Sequence, residues 1–157
     1  MHRLMKWTAL LALFTGCRAK PPAPPTVADL KFPVVVVIFG KSSAVEFKDA
    51  AALGTMTMGN LNAITGPPPL IDSSFAIYTL TKLRSTHNGL WLMANPTGST
   101  PVTFTLERAP KSGIEVARAL MRERLDEQTW RTDLDEKRRA LATEQTLAGM
   151  LAIVRPE

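Results

Sequence analysis

The sequence predicts an α+β domain: a small antiparallel sheet followed by helices packed on it. Three observations carry that expectation. "VVVVIF" (34–39) is a continuous β-branched and apolar run. Between residues 75 and 108, strand-like runs alternate with turn formers. From residue 112 onward the apolar period lengthens to that of a helix.

The runs follow in order. "FPVVVVIFG" is apolar throughout, closes on Gly40, and reads as a strand buried on both faces. In "SAVEFKDAAALG" (43–54), Ser43 and Glu46 stand at capping-box spacing and Gly54 at a helix end, which predicts a short helix. "AVEFK" also fits a strand, and both readings stay open. "TMTMGNLNAITGPPPLIDSS" (55–74) reads as a mostly irregular loop with one short strand. A three-strand meander follows, "FAIYTLTKLR" (75–84), "LWLMAN" (90–95) and "PVTFTLER" (101–108), with Asn88–Gly89 as a hairpin turn. In its third run Val102, Phe104 and Leu106 alternate with Thr and Glu, so one face is expected to be solvated.

Ser112 and Glu115 repeat the capping-box spacing, and Ile114, Ala117, Met121 and Leu125 form a helical stripe. Leu134, Leu141, Ala148 and Leu151 extend it. Thr132, Asp133 and Asp135 can cap a second helix after the joint Thr129–Trp130–Arg131, so 112–154 reads as one helix or two. The sheet is expected in 30–110 and the helices in 111–154, within one domain of residues 30–157.

The N-terminus has a different character. "MHRLMK" is cationic, and "WTALLALFT" (7–15) is apolar but far shorter than the roughly 20 residues of a membrane-crossing helix. It matches the apolar region of a signal peptide, with the small residue Gly16 after it. Then come Cys17, the chain's one cysteine, and "RAKPPAPP", a run that cannot pack and favours an extended polyproline form. "LFTGC" resembles the lipobox of bacterial lipoproteins. The resemblance implies a signal peptide over 1–16, lipid attachment at Cys17, and a tether over 17–29. It implies a protein of the cell envelope anchored to membrane. Arg18, where aspartate would signal inner-membrane retention, points to the outer membrane facing the periplasm. An acylated Cys17 leaves no thiol for disulfides or metal.

Arg3 and Lys6 lie in residues 1–16, and without them the excess of cations over acids falls from five to three. That mild surplus predicts no nucleic-acid partner. His87 is the only histidine after residue 16. A Ser–His–Asp triad with Asp72 can be drawn, but no G-x-S-x-G elbow occurs and His87 falls in a hairpin tip, where a solvated turn histidine is expected. One histidine is too few for zinc, and "GNLNAITG" lacks P-loop spacing, so neither metal nor cofactor is expected.

Glu127–Arg131, Asp133–Lys137 and Asp135–Arg139 stand four residues apart with the acid first, the pattern of a solvated helix face rather than of paired catalytic acids. Arg118, Arg122, Arg124, Arg131 and "EKRRA" (136–140) make the tail cationic, but interleaved acids nearly cancel them. Trp91 and Trp130 are expected as packing anchors, and "GPPPL" (66–70) as a rigid loop. The functional expectation is a non-enzymatic binding or assembly subunit with an envelope protein as partner. The alternative is a periplasmic hydrolase using His87 or a carboxylate pair.

Overall fold

The structure is a computed structural model that describes residues 23–38, 44–87 and 98–155. Cys17, Gly40, Ser43, the Asn88–Gly89 turn, and the run 90–95 with Trp91 lie outside the described residues.

An α+β architecture is present. A 3-10 turn (Val27–Asp29) precedes β1 (Val34–Val36), β2 (Val45–Phe47), α1 (Ala50–Leu53), β3 (Thr55–Thr57), α2 (Met58–Ala63), β4 (Pro69–Asp72), β5 (Ile77–Ser85) and β6 (Ser99–Arg108). Three helices follow: α3 (Ile114–Asp126), α4 (Leu134–Thr143) and α5 (Leu147–Val154). The six strands form one antiparallel sheet in the order β2-β1-β4-β5-β6-β3.

Both faces of this sheet carry core. Val34, Val36, Phe47, Met56, Leu70, Leu80, Val102 and Leu106 are buried inside its curl, and all six strands contribute. Val35, Val37, Ile71 and Ile77 point the other way, onto Ala117, Met121, Leu125, Leu141, Met150 and Leu151 of the helices. The unbroken valine run is therefore explained. Alternate side chains enter different cores, so neither parity can be polar.

Several local expectations are corrected. The first helix is only Ala50–Leu53, capped by Asp49, whose carboxylate accepts from Ala52 N–H at 2.8 Å, and Glu46 lies in β2. The segment 55–74 holds β3, α2 and β4. Its triple proline leads into β4, with Pro69 as the first strand residue, a place where a missing donor is tolerated. The meander consists of β4, β5 and β6. β5 and β6 pair directly, from Tyr78↔Arg108 to Ser85↔Val102, so no strand lies between them over that length.

The tail forms three helices. Ser112 does not cap α3; its hydroxyl accepts from Ile77 N–H at 3.1 Å, and Gly113 occupies the cap position at φ 114°. Only glycine takes that backbone easily. Asp133 stands at the α4 cap position without a side-chain cap bond, because its carboxylate is engaged by Arg131. Residues 144–146 end α4, and the Thr146 hydroxyl caps α5 by accepting from Gly149 N–H at 3.0 Å.

Two positive-φ residues shape the sheet. Phe75 (φ 61°) lies in the β4–β5 turn, and Lys82 (φ 54°) sits where the β5–β6 register slips by one residue between Thr81 and Arg84. Such a bulge bends its strand and raises the local twist.

Candidate functional site

A groove of about 700 Å³ opens where the chain enters the domain. Pro24 and Pro25 form one wall, Tyr78 and Leu106 the apolar floor, and Lys31 and Arg108 bring cations to it. Asp29 and Glu107 add carboxylates.

Asp72 organises the end of this groove. It is 1% exposed. Its Oδ1 accepts from Ser74 N–H (2.9 Å), the Ser74 hydroxyl (2.8 Å) and Ala76 N–H (2.9 Å), and its Oδ2 accepts from Lys31 N–H (3.3 Å). These donors hold Phe75 in its left-handed conformation, which costs roughly 1–2 kcal/mol in isolation. They also tie the chain before β1 to the β4–β5 turn. The carboxylate is thus spent on backbone geometry.

Tyr78 is 4% exposed. Burial foremost, and then the Asp72 charge, push its hydroxyl pKa above the usual tyrosine value, against a smaller opposing pull from Arg108. The phenol stays protonated at neutral pH and can donate a hydrogen bond. Together the groove offers a phenol, two cations and two carboxylates around an apolar floor. Such a set has the chemistry to hydrogen-bond and pair with the charges of a polar ligand or peptide.

His87 lies at the far end of β5. It is half-buried rather than freely solvated, which corrects the expectation for a hairpin tip. Its Nδ1 is 2.8 Å from the hydroxyl of buried Thr100, which is itself 2.8 Å from the Ser85 hydroxyl. His87 N–H donates to Ser85 Oγ at 3.1 Å. This cluster closes the hairpin. Asp72 cannot complete a triad with it, because the length of β5 separates them, roughly 26 Å at about 3.3 Å per residue. Among the described residues no group of three or more His, Cys, Asp and Glu could hold a metal.

The tail cations are largely engaged. Arg138 donates to Asp126 (2.8 Å) and Asp135 (2.9 Å), bonds that raise its pKa further, and Arg124 pairs with Glu127 at 3.0 Å. Arg118 pairs with Glu115 and reaches the Glu144 carbonyl at 2.8 Å. Asp133 lies between Arg131 (2.9 Å) and Lys137 (3.9 Å), while Arg139 reaches the Asp135 carbonyl. These acids act as ion-pair partners of a helical surface.

Trp130 is not a packing anchor. It is 67% exposed, with the Arg131 guanidinium 5.8 Å from its ring centroid. The groove itself was not anticipated from the sequence. The one signal was the chain's single tyrosine on an otherwise apolar strand face.

Comparison of the chain with protein families, curated proteins and solved structures finds no match.

Proposed function

We propose that this chain is a lipid-anchored protein of the bacterial cell envelope, acting as a non-enzymatic binding or assembly subunit. One observation carries the reading. Cys17 follows an apolar run and the small Gly16, and it directly precedes the proline-rich "RAKPPAPP". Two or more acyl chains on Cys17 give stable anchoring, where one alone is marginal. Arg18 favours the outer membrane, with the domain in the periplasm. The groove beside Pro24 and Pro25 supports the binding role, because it gathers hydrogen-bonding and charged groups on an apolar floor.

Metabolic labelling with palmitate, together with the mature N-terminus, tests the anchor. The wild-type chain takes up label and begins at residue 17, and Cys17→Ser blocks both the label and the cut. A wild-type chain that begins after Gly16 with an unmodified thiol means ordinary secretion and removes the membrane from the reading.

A further inference from the structure

The groove beside Pro24 and Pro25 holds more hydrogen-bond donors than its own acceptors use. Its carboxylates are engaged. Asp72 accepts from Ser74, Ala76 and Lys31, and Asp29 Oδ2 accepts from Thr26 N–H (2.7 Å) and the Thr26 hydroxyl (2.9 Å). Glu107, on the rim, accepts at 3.0 Å from the hydroxyl of Thr81, which lies on the opposite face of the sheet from Tyr78.

The donors are open. Among the described residues no hydrogen bond or ion pair engages the Tyr78 hydroxyl, the Lys31 ammonium or the Arg108 guanidinium. An unbonded hydroxyl on a side chain as buried as Tyr78 is unusual, because buried polar groups are nearly always paired. The described residues seal two unbonded side-chain polar atoms from solvent, Arg118 Nε and Arg124 Nε. The Tyr78 oxygen is neither, so it reaches the groove that its ring floors. Tyr78 and Arg108 are cross-strand partners, next to the pair in which Ala109 N–H donates to Ile77 O. Theirs is therefore the close, non-hydrogen-bonded kind of pair, with Cβ atoms about 4.5–5.5 Å apart on one face. Phenol and guanidinium start side by side. Lys31 joins them from the segment before β1, which its own N–H ties to Asp72.

We propose that the groove binds a monocarboxylate with an apolar tail, the chemistry of a free fatty acid. Tyr78, Arg108 and Lys31 hold the head, and the tail lies on Leu106 and the Pro24–Pro25 wall. The inference deepens the binding role above and rests on it. A carboxylate only accepts, and acceptors are what the three open donors lack. An ammonium head would add further donors and meet carboxylates that are already bonded. The raised pKa of Tyr78 keeps its proton available to such a head. A single negative charge suits a site where Asp29 and Asp72 already stand against the two cations. The volume of about 700 Å³ falls in the range of roughly 300–1,000 Å³ usual for small-molecule sites.

The chain's one tyrosine makes the site directly visible. The test uses the chain lacking residues 1–16 and carrying Cys17→Ser, with an isotope label in the tyrosine ring. Octanoate is expected to shift the single ring signal with a Kd below about 1 mM. Octanol and octylammonium share the tail and bind at least about tenfold more weakly. By calorimetry, Tyr78→Phe and Arg108→Gln each weaken octanoate about 3- to 30-fold and leave octanol unchanged. Arg84→Gln, exposed toward the other end of β5, leaves octanoate binding intact. Unchanged melting curves confirm that the variants are folded. No shift of the ring signal up to about 3 mM octanoate overturns the proposal. So does octanol or octylammonium binding as tightly as octanoate, which would keep the groove as a binding site for another class of ligand. An equal loss in Arg84→Gln would mean diffuse charge attraction and overturn it too. None of these measurements involves lipid at Cys17, so the anchor stands or falls separately on the palmitate label.

Discussion

Gln128, at the end of α3, donates its side-chain amide to the carbonyl of Val154, at the end of α5, at 2.7 Å. Gln128 is 2% exposed and Val154 is fully buried. The Gln128 carbonyl accepts from Arg131 at 3.0 Å, and the same guanidinium nitrogen reaches Arg155 O at 3.0 Å. The last carbonyls of α5, which no intrahelical donor can satisfy, are thus held from α3 and the segment after it. Gln128→Leu leaves Val154 O buried without this donor and is expected to destabilise the fold by about 1–3 kcal/mol. Urea unfolding should show a lower midpoint with an unchanged slope.

Leu125 is fully buried in the core between the helices and the sheet. Leu125→Asp removes apolar contacts and buries a charge, and should cost more than about 3 kcal/mol. A melting temperature equal to that of the wild type would mean that α3 does not pack on the sheet.

His87 is bonded to Thr100 and Ser85 but is only half-buried. His87→Ala should cost about 1 kcal/mol, the worth of an ordinary hydrogen bond. It should leave any cellular phenotype intact. A null phenotype from a stably expressed His87→Ala chain would favour the hydrolase alternative over the binding subunit.

Acid should loosen the α4–α5 corner. Glu144 accepts from the Thr146 hydroxyl (2.7 Å), Thr146 N–H (2.8 Å) and Gln145 N–H (3.0 Å), and these bonds, led by the Thr146 hydroxyl, hold its pKa below the usual glutamate value. Asp133 is lowered mainly by its bond from Arg131. A depressed carboxylate pKa stabilises the fold above the unfolded-state value, and that contribution is lost as pH falls through the folded-state value. Stability should therefore decline below about pH 4.5. Thr146→Val should flatten part of that decline when melting is followed from pH 7 to 3. Gly149→Ala should disturb the same corner at neutral pH, because a Cβ there would overlap the Glu144 carboxyl.

What was legible in the sequence follows physical range. Burial of residues 34–38 on both faces shows directly as the absence of alternation, and the change of period after residue 112 marks where sheet gives way to helices. Local hydrogen-bond competition was not legible. Ser112 and Asp133 have the chemistry of caps, but Ile77 N–H and Arg131 engage them first. The strand that opens the meander was not legible, because "PPPLID" looks like a loop by its prolines, whereas Pro69–Asp72 form a central strand. Trp130 defeats the usual inference from aromatic to core because it sits at a joint, where Arg131 covers one face of the ring. The groove depends on a turn, a strand end and an N-terminal segment meeting in space, and no local pattern encodes that. The hallmark of the proposed anchor lies in consecutive residues, so it needs no fold to be read.

The extra residue at Lys82 makes β5 one link longer than the stretch of β6 it lies against. Before the slip, even-numbered Tyr78 and Leu80 face the inner core, and after it odd-numbered Leu83 does, while β6 keeps its parity throughout. Excising Lys82 would therefore not turn the strand inside out. Leu83 would slide into register opposite Phe104, still facing inward, and the ladder would run straight. What would be lost is curvature, and with it the reach that brings the start of β6 round to β3. In a lineage of such chains, this is where a one-residue deletion would alter the shape of the sheet while leaving its inside and outside unchanged.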